Sequence, residues 1–269
     1  MVTMVIATVI TVMKNDNLVD LHCHILPGID DGSPSLTTSI SLAQAAVADG
    51  VKYILATPHH MDRNYVNHRQ NIEQAVTMFQ HELVARKIDL QVFPGQEVHL
   101  NGHLLEHLDD LLGMDSAKRY VLLELPHEMV PNYLEEVIYQ LACQGIVAMI
   151  AHPERNAQIL AKPEKLYDLI QQGCLAQVTA TSLVGTFGKQ VQRTAKEFVK
   201  CGLVQIVASD AHVLPKRDFA LSAAYDVLAK MHDDYPKRFK ANAQHILNGE
   251  LIDLKRVVLP HQQHKFHLF

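Results

Sequence analysis

The chain has 269 residues and a formal net charge of −5, from 24 Lys and Arg against 29 Asp and Glu; 48% of it is hydrophobic and 17 residues are histidine. This length suits one large α/β domain, and the acidic balance leaves no basic footprint for nucleic acid. The four cysteines, Cys23, Cys143, Cys174 and Cys201, form no C-x-x-C pair, which argues for a reducing compartment and against a disulfide framework or a zinc ribbon.

Residues 1–15 form an apolar N-terminal extension. It lacks the basic region and small-residue cleavage site of a signal peptide and is too short to span a bilayer. Met13-Lys14 reads as an ordinary translation start, so the extension is expected to be a start assigned too early. A cytoplasmic protein without membrane insertion is expected.

The first strand is predicted at Leu18–His22, inside "VDLHCHILPGIDDG". Side chains at i and i+2 share a strand face, so His22 and His24 point one way and Cys23 the other. Two imidazoles on one face suit the ligand set of a metal ion. Ser33-Pro34 then reads as N-cap and first helical residue of a helix to about Ala48, ended by Gly50. Further strands are expected at Tyr53–Thr57, Gln91–Gln96, Tyr120–Leu125, Ile146–Ala151, Ala176–Thr179 and Val204–Ala208. Helices are expected near Val66–Lys87, Pro131–Gln144, Pro163–Gln172, Lys189–Lys200 and Lys216–Met231. Gly145, Gly173 and Gly202 each fall between a helix and a strand, where a C-terminal glycine belongs. Repeated βα units imply a parallel sheet in a single domain. Seven strands around one core suggest a barrel, although periodicity does not separate a barrel from an open sheet.

Metal-type residues follow six of the seven strands. They are His22, His24, Asp30 and Asp31 after the first, His59 and His60 in "ATPHH", Glu97 in "PGQEVH", Glu124 in "VLLELP", His152, Glu154 and Arg155 in "IAHPER", and Asp210 and His212 in "VASDAH". Only "QVTATS", after the sixth strand, lacks one. Taken singly, His59 or His60 reads as a turn histidine. Glu124 inside an apolar strand is different, because a buried carboxylate needs a cation or hydrogen bonds. Asp210 and His212 repeat the i, i+2 spacing of His22 and His24. In α/β barrels the strand C-termini carry the active site. Histidine and carboxylate without cysteine suit Zn, Mn or Fe, and about nine ligands imply two or three ions with a bridging carboxylate. Clustered ions are apparatus for phosphoester hydrolysis. Arg155 and Arg217 fit as phosphate binders, since a guanidinium fork matches phosphate oxygens. Arg217, in "LPKRDF", also reads as a solvated residue at a helix start.

The series "DLHCH", "IDDG", "ATPHH", "GQEVH", "LLELP", "AHPER" and "ASDAH" resembles the PHP (polymerase and histidinol phosphatase) superfamily, and within it the bacterial protein-tyrosine phosphatases of capsular and exopolysaccharide operons. The match runs from about Asp20 to Asp218. The resemblance implies an α/β fold, a distorted seven-stranded (β/α)7 barrel in a single domain (residues 16–259, followed by a tail at 260–269), with a trinuclear site usually assigned Mn2+. Zn2+ or Fe is also compatible. Carried over, His22, His24, Glu97 and Asp210 hold one ion. Glu97, Glu124 and His152 hold a second, and Asp31, His59 and His212 a third. Arg155 and Arg217 bind the phosphoryl group. The implied partner is the phosphotyrosine-bearing tail of a bacterial tyrosine kinase. The alternatives are a small-molecule phosphatase of the histidinol-phosphate type and a non-catalytic metal-binding regulator. The extension and the histidine-bearing tail have no assignable role.

Cysteine-based phosphotyrosine chemistry needs Cys, five residues, then Arg. Six positions after the four cysteines stand Ile29, Met149, Ala180 and Val207. Hydrolysis here would have to use metal-activated water.

Overall fold

β1 (Leu18–Cys23) is buried along its whole length, as a parallel strand covered on both faces must be. In the computed structural model, residues 17–213 and 217–260 are described. The extension at 1–15, residues 261–269 of the tail and the expected helix start at Lys216 lie outside the described residues.

After β1 the chain runs through α1 (Leu36–Ala48), β2 (Val51–Ala56), β3 (His59–His60), α2 (Arg69–Ala85), β4 (Gln91–Pro94), β5 (Glu97–His99) and a 3₁₀ stretch at Leu104–Asp110. Next come β6 (Tyr120–Glu124), α3 (Leu134–Cys143), β7 (Val147–Ala151), a 3₁₀ turn at Pro153–Arg155, α4 (Ala157–Ala161) and α5 (Glu164–Gln171). The described chain ends with β8 (Leu175–Thr179), α6 (Ala180–Val184), α7 (Lys189–Lys200), β9 (Ile206–Ala208), α8 (Leu221–Met231) and α9 (Tyr235–Leu247). Gly145, Gly173 and Gly202 all take positive φ just beyond α3, α5 and α7, in line with their expected role. No helix of the described residues is long and apolar enough to cross a membrane.

Three expectations need correction. The N-cap of α1 is Ser35, not Ser33. The Ser35 side chain accepts the Thr38 N–H at 3.2 Å, while buried Ser33 bonds Ser39 and the Ser35 carbonyl. The seven predicted runs also appear as nine strands. The second is followed across Pro58 by β3, and the third run ends at Pro94, with β5 starting after Gly95-Gln96. Pro58 has no N–H to give to a ladder, so pairing breaks there, whereas Pro94 still pairs with Ala56. Before the breaks, strands pair in the order β1-β2-β4; after them they pair in the order β3-β5-β6-β7-β8-β9, all parallel. Finally, α9 lies beyond the last helix that the sequence pattern predicts.

β9 returns beside β1. The Asp210 N–H donates to the His22 carbonyl at 2.8 Å, and the His24 N–H to the Ala211 carbonyl at 2.9 Å. An inner apolar cluster contains Val19, Leu21, Tyr53, Leu55, Tyr120, Leu122, Met149, Leu175 and Ile206. Ala243, Ile246 and Leu247 of α9 join it, and Asn242 donates to the Gln205 carbonyl just before β9 at 2.8 Å. α9 therefore covers the N-terminal ends of the strands, and the C-terminal ends are left for the polar residues. A second cluster, including Leu42, Ile54, Phe79, Val121, Leu141, Ile150, Phe198 and Phe239, fills the space between strands and outer helices. Each such buried side chain contributes about 1.5–3 kcal/mol. Those contributions offset the burial of the polar groups at the strand ends.

Candidate metal centre

Alternation along each strand decides what reaches the centre. On β6, Tyr120 and Leu122 join the inner cluster, and Glu124 continues the same face. On β8, Leu175 faces inward and Gln177 follows it. β1 needs an extra device. Asp20 pairs with Ile54 and Cys23 with Ala56, so β1 carries one residue more than β2 over this span. This bulge moves His22 and His24 onto the inner side with Val19 and Leu21, and it leaves Cys23 in the outer core. The 3.2 Å between the His22 and His24 Nε2 atoms agrees with their expected common face.

Asp210 and His212 are not arranged as strand neighbours, which corrects the expectation drawn from their spacing. β9 stops at Ala208, and Asp210 takes φ +52°. His152 takes φ +33° directly after β7. Left-handed backbone at a non-glycine residue costs about 1–2 kcal/mol. In both cases it turns a side chain sharply off a strand end into the centre.

All nine expected ligand residues converge. Glu97 Oε2 lies 3.2 Å from Nε2 of both His22 and His24 and 3.1 Å from Nδ1 of His59. Asp210 Oδ1 lies 3.5 Å from the same two Nε2 atoms. Asp31 Oδ1 lies 3.4 Å from His59 Nε2 and 3.3 Å from His212 Nε2. Ligand atoms thus gather as His22, His24, Glu97 and Asp210; as His24, Asp31, His59 and His212; and as His59, Glu97 and Glu124. His59 stands between the last two. His152 reaches Glu97 Oε1 at 2.8 Å, while Glu124 groups with His59 rather than with His152. Arg155 and Arg217 both ion-pair with Asp210 Oδ2.

Several residues at the centre were not assigned from sequence. Gln177, on the strand thought to lack a contributor, accepts from His22 Nδ1 at 3.0 Å. Asp30 accepts from His24 Nδ1 at 2.7 Å and from the Gly32 N–H at 3.0 Å. His99 Nδ1 bonds Glu124 at 2.9 Å. Buried Glu154 accepts from the Thr179 N–H at 2.9 Å and from the Ser182 hydroxyl at 2.7 Å, so it ties the Arg155 turn to α6 and takes no place among the ligand atoms. His60 faces away, toward Asp110 at 3.7 Å.

These partners decide the tautomers. With Nδ1–H given to Gln177 and to Asp30, the neutral forms of His22 and His24 both present an Nε2 lone pair. His212 gives Nδ1–H to the Asp210 carbonyl at 3.0 Å, so its Nε2 lone pair faces Asp31. Lone pairs and carboxylate oxygens therefore face one another. Glu97 Oε2, Asp210 Oδ1, His59 Nδ1 and His212 Nε2 are buried without a hydrogen-bond donor. Such groups are costly to bury unless a cation pairs them. Their separations are those of neighbouring ligands around an ion with bonds of about 2.0–2.2 Å. The donor set fits divalent metal.

Burial raises the Glu97 carboxyl, but the charges on His22 and His59 hold it well below the usual carboxylate range. Burial likewise opposes ionisation of Asp210, and His22, Arg217 and Arg155 hold it well below that range. Burial disfavours charge on His24, yet Asp30 and Glu97 raise it well above an ordinary histidine. His212 is pushed down to about 4 by burial and by His24. The three buried cysteines are not activated as nucleophiles. Burial alone pushes Cys174 up to about 12, and burial with Asp20 raises Cys23 well above an ordinary thiol.

Fold and centre together define a class: a parallel α/β protein with a histidine and carboxylate cluster fit to hold metal, and two arginines beside it, at its strand ends. Residues 18–248 match the family model described as capsular polysaccharide synthesis, CpsB/CapC. Tyrosine-protein phosphatase YwqE of Bacillus subtilis (strain 168) is 38% identical over 238 residues, 87% of this chain and 93% of that protein. Tyrosine-protein phosphatase CpsB of Streptococcus agalactiae serotype III (strain NEM316) is 27% identical over 247 residues, 87% of this chain and 100% of that protein. A crystal structure from work on YwqE of Bacillus subtilis and CpsB of Streptococcus pneumoniae, described as unique metal-dependent tyrosine phosphatases, aligns with a TM-score of 0.88. It is 36% identical and covers 91% of this chain and 100% of the other. The chain belongs to the CpsB/CapC family.

Proposed function

We propose that this protein is a metal-dependent protein-tyrosine phosphatase. Its substrate in this reading is phosphotyrosine on the tail of a cognate bacterial tyrosine kinase, in the cytoplasm, and its reaction regulates capsular or exopolysaccharide synthesis. One observation carries the reading. Ring nitrogens of four histidines and oxygens of four carboxylates gather within ligand distance of one another, with Glu97 Oε2, Asp210 Oδ1, His59 Nδ1 and His212 Nε2 buried and without hydrogen-bond partners, beside two arginines held on Asp210.

In this proposal His22, His24, Asp31, His59, Glu97, Glu124, His152, Asp210 and His212 hold two or three ions. Mn2+ suits the nitrogen and oxygen donors, as do Zn2+ and Fe. When bound, the ions supply Lewis acidity to the phosphate oxygens and a more acidic water. The protein does the rest. Glu97 joins the groups, with Oε1 toward His152 and Oε2 toward His22, His24 and His59. Asp210 turns Oδ1 to the histidines and Oδ2 to Arg155 and Arg217, so ligand geometry and guanidinium geometry are set by one side chain. The two guanidinium groups then grip phosphoryl oxygens and stabilise charge as the ester bond breaks. In the same reading the two sheets are one distorted barrel wall, closed where Cys23 bridges Ala211.

The test is phosphate release from a phosphotyrosine peptide and from histidinol phosphate, after chelation and after adding back Mn2+, Zn2+ or Fe2+. Metal-dependent release from the peptide supports the reading. A faster reaction with histidinol phosphate favours a metabolite phosphatase. Binding of metal and peptide without release favours a regulator.

A further inference from the structure

Phosphate chemistry leaves two half-buried aromatic rings at the centre without a task. Phe187 lies under the Arg155 guanidinium, 5.0 Å from ring centroid to Cζ. Tyr65 stacks on His59, with ring planes 17° apart and centroids separated by 6.2 Å. Neither side chain belongs to the apolar clusters that hold the fold.

Phe187 is held firmly. It sits in "GTFG" between α6 and α7, where Gly185 and Gly188 take φ +99° and +90°. The N–H groups of Gly185 and Thr186 donate to the Thr181 carbonyl at 3.1 and 2.9 Å, and that of Gly188 to the Gly185 carbonyl at 3.1 Å. Glu154 ties this segment to the turn bearing Arg155 through Ser182 and Thr179. Tyr65 is fixed differently: Asp62 Oδ1 accepts its N–H at 2.8 Å.

We infer that Phe187 and Tyr65 form a subsite for the aryl ring of an aryl phosphate monoester, one ring beside Arg155 and the other beside His59. The inference rests on the phosphatase reading above. A phosphoryl group gripped by Arg155 and Arg217 leaves its ester oxygen and leaving group to extend outward, past the Phe187 ring on Arg155 and the Tyr65 ring on His59. Aromatic faces and edges attract one another at centroid distances of about 4.5–7 Å. An alkyl leaving group such as serine offers no ring face and stays short of these walls. The subsite therefore selects tyrosine esters over serine esters without touching the phosphoryl group.

The experiment compares the wild-type protein with Phe187→Leu, Tyr65→Leu and Phe187→Tyr, all loaded with Mn2+. Two quantities are read: KM for a phosphotyrosine peptide, and Ki for inorganic phosphate, which fills the phosphoryl subsite alone. Each Leu variant is expected to raise KM about 3- to 10-fold while Ki stays within about twofold, and Phe187→Tyr to restore KM, because a ring replaces a ring. Should Phe187→Leu fail to fold, Tyr65→Leu on its surface loop reads the same subsite. Unchanged KM in the Leu variants overturns the inference. So does a parallel rise of Ki, which would mean that the rings act only through Arg155 and His59. A wild-type protein inactive on the peptide removes the phosphatase reading and this inference with it. An active wild type whose Leu variants are indistinguishable from it removes the aryl subsite alone.

Discussion

Glu97 makes more contacts with the other ligand residues than any single neighbour requires. One carboxylate faces His22, His24 and His59 with one oxygen and His152 with the other. Glu97→Ala should therefore remove metal and activity together, and elemental analysis showing full metal retention would rule out its joining role. The arginines should behave oppositely. Arg155 and Arg217 touch Asp210 on the oxygen turned away from the histidines, so Arg155→Ala and Arg217→Ala should keep metal. Each should lower kcat/KM by roughly 10- to 1000-fold, as loss of one preorganised donor does. Steady-state kinetics with metal content measured on the same samples checks this. Metal loss in Arg155→Ala would mean that the guanidinium serves only to hold Asp210.

At the scale of elements, the strand ends were legible and their interruptions were not. His22 and His24 could be read because i, i+2 spacing is local. The bulge that aims them depends on pairing with β2, which no window along β1 reports. Gln177 was passed over because a neutral amide resembles any buried glutamine until His22, 155 positions away, is placed beside it. Asp30 and Asp31 were both visible, but only the fold shows that Asp30 holds His24 while Asp31 faces His59 and His212. α9 carries sequence signals of its own, Pro236 in its first turn and buried Phe239, Ala243, Ile246 and Leu247 at helical spacing, but the intervening Lys, Arg and His obscure them. The glycine of "IDDG" carries its own test. A Cβ on Gly32 would lie 2.3 Å from the His24 carbonyl oxygen and 2.4 Å from its Cβ. Gly32→Ala should push the Asp30 loop off His24 and weaken metal binding at least about 10-fold, the scale of losing a partner that orients a ligand. Calorimetric titration with Mn2+ checks it, and wild-type affinity would mean that the loop relaxes freely.

On the scale of the whole molecule, the centre is a joint. Residues from β1, β3, β5 and β6, and from the loops and turns that follow the strands, meet there, and their lone pairs oppose one another unless a cation or protons intervene. Ion binding to the folded state alone should stabilise it by about 4 kcal/mol at a thousandfold excess over Kd. For a chain of this size that is a Tm gain on the order of 10 °C, lost on chelation. The gain should depend on pH with a definite sign. In the metal-free fold, His22 and His24 have pKa values raised against burial, by Glu97 and Asp210 for the first and by Asp30 and Glu97 for the second. Their pairing therefore stabilises the metal-free fold fully below the unfolded histidine value of about 6.5, and that stability is lost as pH rises through the raised values. Ions need those same rings deprotonated, so metal affinity rises over the same interval. His212, pushed down to about 4, is already neutral there in the folded state and does not offset the trend. The two effects add, and the Tm difference between Mn2+-loaded and chelated protein should widen from about pH 6.5 upward. Differential scanning calorimetry of both forms across about pH 6.5–8.5 decides it. A difference that stays flat or narrows would mean that protons and ions do not compete for these histidines.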